Sequence, residues 1–501
     1  MINNVLDYLF DIVKEVPDKV AYSDGTTDMT FKEVFNEARS VASFLHNNDV
    51  YKEAVVIFMK KQPKTIAAFF GTIMASNYYV PIDSEMPAIR MQLILENVKP
   101  KFVICDDDSI EAARNFKYDG CVINYDEIKN TPHEDDALNE KYARAIDTDP
   151  IYIVFTSGST GIPKGVAACH RSVIDYIEQL STVMGASGDT VFGSQTPLYV
   201  DACLKELYPT IKFGATTYLI PKELFMFPID LVNYLNDHKV NTICWVVSAL
   251  TMISAFGAFK KVTPKYLKTI CFGSEVFPIK QFNIWKSVVP EARFINLYGP
   301  TEGTGMCCYY EVNREFELDE VIPIGHPFKN TEILLLDEQN NLAREGEICI
   351  RGTSVTLGYY NNPEKTAECY VQNPLNSHYP EIIYRTGDIG KINEYGELQF
   401  VSRKDYQIKH MGHRIELGEI EINVNMMDEI NMAGCIYDDI KNKIVLYYVG
   451  DIEVKELTLS LKEKLPRYMI PNAIIKLDSM PLTSNGKMDR AGLKKMYQNP
   501  T

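Results

Sequence analysis

Tyr152-Ile-Val-Phe-Thr-Ser-Gly-Ser-Thr-Gly-Ile-Pro-Lys-Gly-Val166 decides how the rest of the chain is read. Ile151 to Phe155 is short, apolar and rich in β-branched and aromatic residues, which predicts a buried strand. It runs straight into Thr156, Ser157, Gly158, Ser159, Thr160 and Gly161, a turn of small hydroxyl residues and glycine. In such a turn backbone N–H groups approach an anion closely and the hydroxyls add donors. Lys164 then supplies a compact positive charge. The pattern is not a Walker A loop, which needs Gly-Lys-Ser/Thr, because Lys164 follows Pro163 and precedes Gly165. A plain Ser/Gly turn between two elements is the alternative, but a turn of this composition ending Gly-x-Pro-Lys-Gly after a buried strand is rare by chance.

Outward from this loop, 501 residues allow more than one domain and a large core. A hydrophobic content of 46% and a charged content of 24% are those of an ordinary globular protein. A net charge of −16 argues against a nucleic-acid binder, which needs clustered basic surface, and against attraction to anionic membranes. The start, Met1-Ile-Asn-Asn-Val, lacks a secretory pattern, and the longest apolar run, Ile66 to Ala75, is roughly half a membrane span. The 11 cysteines form no Cys-x-x-Cys pair, which suits a reducing cytoplasm. His410 and His413 lack metal-ligating neighbours, so no structural zinc is expected.

The expected fold class is α/β: a large N-terminal domain of doubly wound sheets with a β-rich subdomain, then a small mobile α+β domain. Residues 1–50 read as helical, with Thr30 to Glu33 as a capping box. Strand, helix and strand alternate from Ala54 to Ile82, and Phe102 to Cys105 opens a second such unit, which implies parallel sheet. Asp126 to Asp149 reads as a surface connection. His170 reads as a helix-start residue. Further strands are expected at Ala215 to Ile220, Val240 to Val247, Thr269 to Ser274 and from Phe294, and short alternating strands beyond Pro323. The boundary is placed after Ser402, giving domains 1–402 and 403–501.

Other turns carry candidate chemistry. Tyr298-Gly-Pro-Thr-Glu302 stands at a strand end, where open α/β sheets bind ligands; Tyr298 offers a flat face and Glu302 a carboxylate. Tyr384-Arg-Thr-Gly-Asp388 presents one aspartate, and Pro481 to Arg490 presents Lys487.

With Arg403 to Glu421, these stretches resemble, in order, the motifs of the adenylate-forming superfamily: acyl-CoA synthetases, luciferases and amino-acid adenylation domains. The resemblance implies ATP with Mg2+ as cofactors. It places Thr156, Ser157, Gly158, Ser159, Thr160, Gly161 and Lys164 on the phosphates. Gly273, Ser274, Glu275, Asn296, Tyr298, Gly299, Thr301 and Phe400 fall around the nucleotide, with Asp388 and Arg403 at ribose and phosphate. It gives Glu302 the metal, Lys487 the transferring phosphoryl group beside Thr156, and Asp405 a hinge. A cation is what the chemistry asks for, since negative charge builds on the phosphoryl group and the leaving pyrophosphate. The family usually has Gly where Ser402 stands, which bears on hinge geometry.

Leu198-Tyr-Val-Asp-Ala-Cys-Leu-Lys-Glu-Leu-Tyr208 resembles the adenylation-domain segment whose aspartate binds the substrate amine, which falls on Asp201. The same resemblance puts Ala202, Lys205, Trp245, Ile270, Phe272, Leu297, Gly305 and Met306 around the side chain. Lys205 would favour an acidic substrate, or it pairs with Glu206 or reaches water; a small amino acid is the rival. The resemblance implies an aminoacyl-AMP passed to the phosphopantetheine thiol of a separate carrier protein, with a layout similar to D-alanine–carrier protein ligases. The alternatives are an acyl-CoA synthetase, or a nucleotide sensor that has lost catalysis.

Overall fold

The structure, a computed structural model, describes residues 2–158, 161–404, 407–439, 441–482 and 488–498. Five parallel strands make up most of the first sheet, in the order Pro150–Thr156, Tyr78–Pro81, Ala54–Phe58, Phe102–Cys105 and, at the edge, Cys121–Asn124. Lys164–Cys169 folds back antiparallel on Pro150–Thr156, so the phosphate loop is the bend between two adjacent strands. The second sheet runs through Arg293–Tyr298, Thr269–Gly273, Thr242–Val246, Val191–Ser194 and Thr216–Leu219, all parallel.

Between these layers lies helix Pro63–Met74, which buries every residue except Lys64. A helix apolar all round belongs in an interior. Helix Phe31–Asn47 crosses it, started by the expected capping box: Thr30 accepts from the Glu33 N–H and Glu33 reaches back to the Thr30 N–H. The crossing is close because Gly71 has no Cβ; one added there would lie 2.6 Å from the Ala38 carbonyl oxygen. Gly71→Ala would therefore overpack the contact, at a cost of about 1–3 kcal/mol.

Downstream, Thr331–Leu336, Glu345–Gly352, Ile382–Ile392, Tyr370–Gln372 and Leu398–Arg403 form an antiparallel sheet, the expected β-rich subdomain. Its last strand carries the chain to a smaller unit. There a hairpin, Gln407–His410 with His413–Glu416, precedes helix Leu417–Asn425 and a sheet of Ile430–Asp438, Lys443–Gly450 and Ala473–Lys476. The unit's apolar cluster, including Ile415, Ile420, Leu446, Leu457 and Met469, draws on no residue before Ile408.

Two expectations need correction. The opening 50 residues contain strands Val20–Ser23 and Asp28–Thr30 between their helices. The pair is short and completes the edge of the second sheet, a long-range role that local pattern does not announce. Asp126 to Asp149 is not plain connection: helix Asp135–Arg144 fills much of it, holding one buried residue, Leu138. A helix with so little apolar face leaves almost no periodic signal.

Candidate active site

The loop strand ends at Thr156, whose hydroxyl is buried without a partner among the described residues. Gly158 must be glycine, since a Cβ there would sit 2.0 Å from the Ile162 carbonyl oxygen. Gly161 takes a φ of +79°, and Lys164 lies buried with its ammonium 5.3 Å over the Tyr359 ring. Burial, then the Arg414 guanidinium, push the Lys164 pKa down. Ser159, Thr160, Asp405 and Lys487 lie outside the described residues.

Strand Arg293–Tyr298 delivers the next group. The Tyr298 hydroxyl donates to Asp388 at 2.6 Å, and Arg403 pairs with the other Asp388 oxygen. Gly299 makes the turn possible: a Cβ would meet Met306 Cα at 2.5 Å. Glu302 is fully buried, accepting from the Tyr359 hydroxyl and from Arg414, each at 2.6 Å. Burial would raise its pKa, but Arg414 and Lys164 overcome that and hold it near about 2. Thr301 begins the same turn. Phe400 packs into the cluster holding Tyr298 and Tyr384. Asn296 is buried and donates to the Pro323 carbonyl at 2.8 Å.

Gly273 lets its strand approach Leu297, whose carbonyl oxygen would be 2.3 Å from an added Cβ, and Ser274 takes a left-handed φ of +68°. The next residue, Glu275, accepts from the Ser248 N–H at 2.6 Å and the Gly412 N–H at 3.1 Å. Gly412 is the tip of the small unit's hairpin, and it too must be glycine: a Cβ would come 2.5 Å from Val246. The hairpin therefore lies on the site, with the Lys409 ammonium 5.4 Å over the Tyr298 ring.

Asp201 is placed by a single 3-10 turn, Asp201–Cys203, leading into helix Leu204–Phe213. Burial lifts its pKa to about 6, partly offset by the nearby Thr301 hydroxyl and Lys205 ammonium. Lys205 is buried, and no hydrogen bond or ion pair joins it to another described residue. Glu206 is fully buried, with both carboxylate oxygens unpartnered. Burial raises it to about 7 against the pull of Lys205 and Lys61. Around them the hydroxyls of Tyr152, Tyr176 and Tyr208 are also buried and unpartnered. Orphaned groups at this density signal a missing ligand or water.

Leu297 and Met306 share the apolar cluster of Cys203, Leu204 and Tyr176, and a Cβ on Gly305 would lie 3.4 Å from the Tyr176 ring. Ala202 follows Asp201 in the same turn. Trp245, Ile270 and Phe272 do not join them, which corrects the expected pocket. They belong to a cluster on the opposite face of the sheet, and the Trp245 indole donates to the Gly193 carbonyl at 2.7 Å. Their strand neighbours Cys244 and Cys271 face the Asp201 side. Side chains alternate along a strand, so a shift of one residue moves the whole set across the sheet. The alternating apolar pattern was present in the sequence, but both faces are apolar here and it could not say which face was which.

Sequence reasoning also missed roles for Tyr176, Arg414, Glu416 and Glu419. Arg414, Glu416 and Glu419 sat in the Arg403 to Glu421 stretch with no role attached; Tyr176 gave no signal. His170, as expected, starts its helix, with Nδ1 accepting from the Val5 N–H.

A family model described as AMP-binding enzyme matches residues 9–360. Zwittermicin A synthase ZmaJ of Bacillus cereus is 30% identical over 95% of this chain and 92% of its own length. The chain spans only 9% and 43% of two larger synthases that it matches at 31% and 30% identity. In fold it is similar to NpsA-ThdA of Klebsiella oxytoca, an artificially fused adenylation-PCP di-domain, at a TM-score of 0.82 and 20% identity, covering 96% of this chain and 95% of that one. It is also similar to o-succinylbenzoate CoA synthetase of Bacillus subtilis, at 0.83 and 20%, covering 99% and 98%. The chain belongs to the AMP-binding enzymes of the adenylate-forming superfamily.

Proposed function

We propose that this chain uses ATP to convert an amino acid to its aminoacyl-AMP and passes the acyl group to the phosphopantetheine thiol of a carrier protein. One observation carries the amino-acid part: Asp201 is a buried carboxylate with no cation bonded to it among the described residues, close to Thr301 at the start of the Glu302 turn. A substrate ammonium would supply that partner. Charge balance supports an acidic side chain. With Asp201 matched by the ammonium, Glu206 faces both Lys205 and Lys61, which leaves one positive charge for a substrate carboxylate. The adenylation-PCP fusion among the similar folds supports a carrier as acceptor, and 11 free cysteines suit a reducing cytoplasm.

In this reading Tyr298 and Asp388 hold the nucleoside, and Thr156, Ser157, Gly158 and Lys164 hold phosphate. Among the described residues no cluster of His, Cys, Asp or Glu could hold a metal alone. Mg2+ fits a site shared between Glu302 and ATP oxygens, the ion's usual habit. It would neutralise phosphate charge there once Arg414 withdraws. Lys487 stabilises the transferring phosphoryl group, and the boundary after Ser402 with a hinge at Asp405 lets the small unit turn between half-reactions.

Amino-acid-dependent pyrophosphate release across the twenty L-amino acids, D-Ala, D-Asp and plain acids tests the reading. Aspartate or glutamate should give the peak. A peak at a small neutral amino acid would retain Asp201 and remove Lys205 from recognition; activity only with acids lacking an amine would overturn the proposal. The fold likeness to a CoA synthetase supports a second reading, transfer to CoA. Offering CoA or a holo carrier to preformed adenylate separates the two.

A further inference from the structure

The head of the phosphate loop is filled by groups from the small unit. The Gly158 N–H donates to Glu419 at 3.2 Å. Arg90, on helix Ala88–Val98 of the large domain, pairs with the other oxygen of the same carboxylate, with the two side chains 5% and 1% exposed. Lys164 stands 3.7 Å from Glu416. The Glu416 N–H donates to the Ser157 hydroxyl at 3.2 Å, and that hydroxyl donates to the Arg414 carbonyl at 2.8 Å. A carboxylate oxygen thus sits against the loop N–H and another near its ammonium, where phosphate oxygens would need the same donors. The neighbouring Glu302 carboxylate is likewise occupied, by Arg414.

We propose that Glu419, with Glu416 beside it, is a built-in phosphate mimic that lets the small unit dock only when the loop holds no phosphate. This rests on the reading of the loop as the ATP phosphate site. Pyrophosphate and the docked unit then compete for Gly158 and Lys164, and Arg90 is the latch that directs Glu419 to the loop. Pyrophosphate must leave before the Lys409–Gly412 hairpin can settle on the adenylate, so docking reports that the first half-reaction is complete. A ligand that needs the undocked state binds more weakly by the fraction of time that state is available.

The test uses the full-length protein and inorganic pyrophosphate alone, measuring affinity by calorimetry and hairpin docking by amide hydrogen exchange. In the wild type pyrophosphate should raise exchange across residues 407–416. Glu419→Gln and, from the opposite side, Arg90→Met should each bind pyrophosphate about tenfold more tightly and show raised hairpin exchange without it. Unchanged affinity in both variants, with native urea transitions, would overturn the mimic, as would tight binding that leaves hairpin exchange untouched. Failure of all three proteins to bind pyrophosphate would overturn the phosphate-loop reading together with the mimic, whereas binding without displacement overturns the mimic alone.

Discussion

On the nucleotide side of the site, carboxylates meet cations: Glu302 meets Arg414, Asp388 meets Arg403 and Glu419 meets Arg90. On the proposed amino-acid side, Asp201 and Lys205 are buried without an ion-pair partner among the described residues, and the Glu206 carboxylate lacks even a hydrogen bond there. Removing charge from water is costly, so each arrangement needs an explanation. Two of the three pairs, those of Glu302 and Glu419, join the large domain to the unit that begins at the hairpin, so the proposed rotation of that unit would make and break them together. Among the described residues the unpaired set has no such partner, and in the proposed reading the substrate supplies it.

The sharpest separation of the two sides is Lys487→Ala. It should lower adenylate formation by about 100- to 1,000-fold, the scale of removing one oxyanion-stabilising donor. Thioester formation from supplied adenylate should stay within a few-fold. Equal loss in both assays would break the assignment of Lys487 to the first half-reaction. Next in size is Asp201→Asn, which keeps the shape and removes the charge. The KM for the amino acid should rise about 100-fold, the scale of a lost buried charge partner, while the KM for ATP changes little. An unchanged amino-acid KM would move the amine elsewhere.

Lys205→Gln probes the other unpaired charge. Discrimination between an acidic side chain and its amide, as a ratio of kcat/KM, should fall about tenfold or more, because the amide loses no charge partner. A preserved ratio would leave Lys205 to packing. The smallest effect is read from pH. Asp201 has a carboxyl raised to about 6 by burial, so below that pH the free enzyme holds it protonated and neutral. The KM for the amino acid should rise about tenfold per pH unit under pH 6, and Asp201→Asn should abolish the slope. Glu302, held at about 2 while Arg414 is paired with it, stays ionised throughout that range and so does not contribute to the slope in the free enzyme.

The division between legible and illegible follows physics at particular residues. The loop at Thr156, the turn at Tyr298 and the capping box at Thr30 were readable because each depends on local chemistry: small donors, a forced turn, a satisfied helix end. Strands Val20–Ser23 and Asp28–Thr30 were not, since they are ordered by a distant sheet edge. The pocket was half readable. Leu297 and Met306 share the cluster of Cys203 and Leu204, the neighbours of Asp201 and Lys205 in sequence, and Gly305 lies against Tyr176 of the same cluster. Trp245, Ile270 and Phe272 fell on the wrong face, because in a strand apolar on both sides one residue of register carries the whole answer. The pairing of Glu419 with Arg90 spans more than 300 positions, a separation of 329 residues, and only the three-dimensional arrangement reveals it.

That same register has a bearing on how such a chain can acquire new preferences. Along Thr242–Val246 and Thr269–Gly273, Cys244 and Cys271 face the cluster of Asp201's turn, while Trp245, Ile270 and Phe272 anchor an independent block of core behind them. Each strand thus keeps its tuning surface and its scaffold on opposite sides. In the proposed pocket, exchanging the two cysteines would alter the substrate's surroundings while leaving the anchoring block whole. Because Cys244 and Cys271 are themselves fully buried, selection or a protein engineer could change them only by replacements that fit the same space, yet such changes would leave the block behind the sheet untouched.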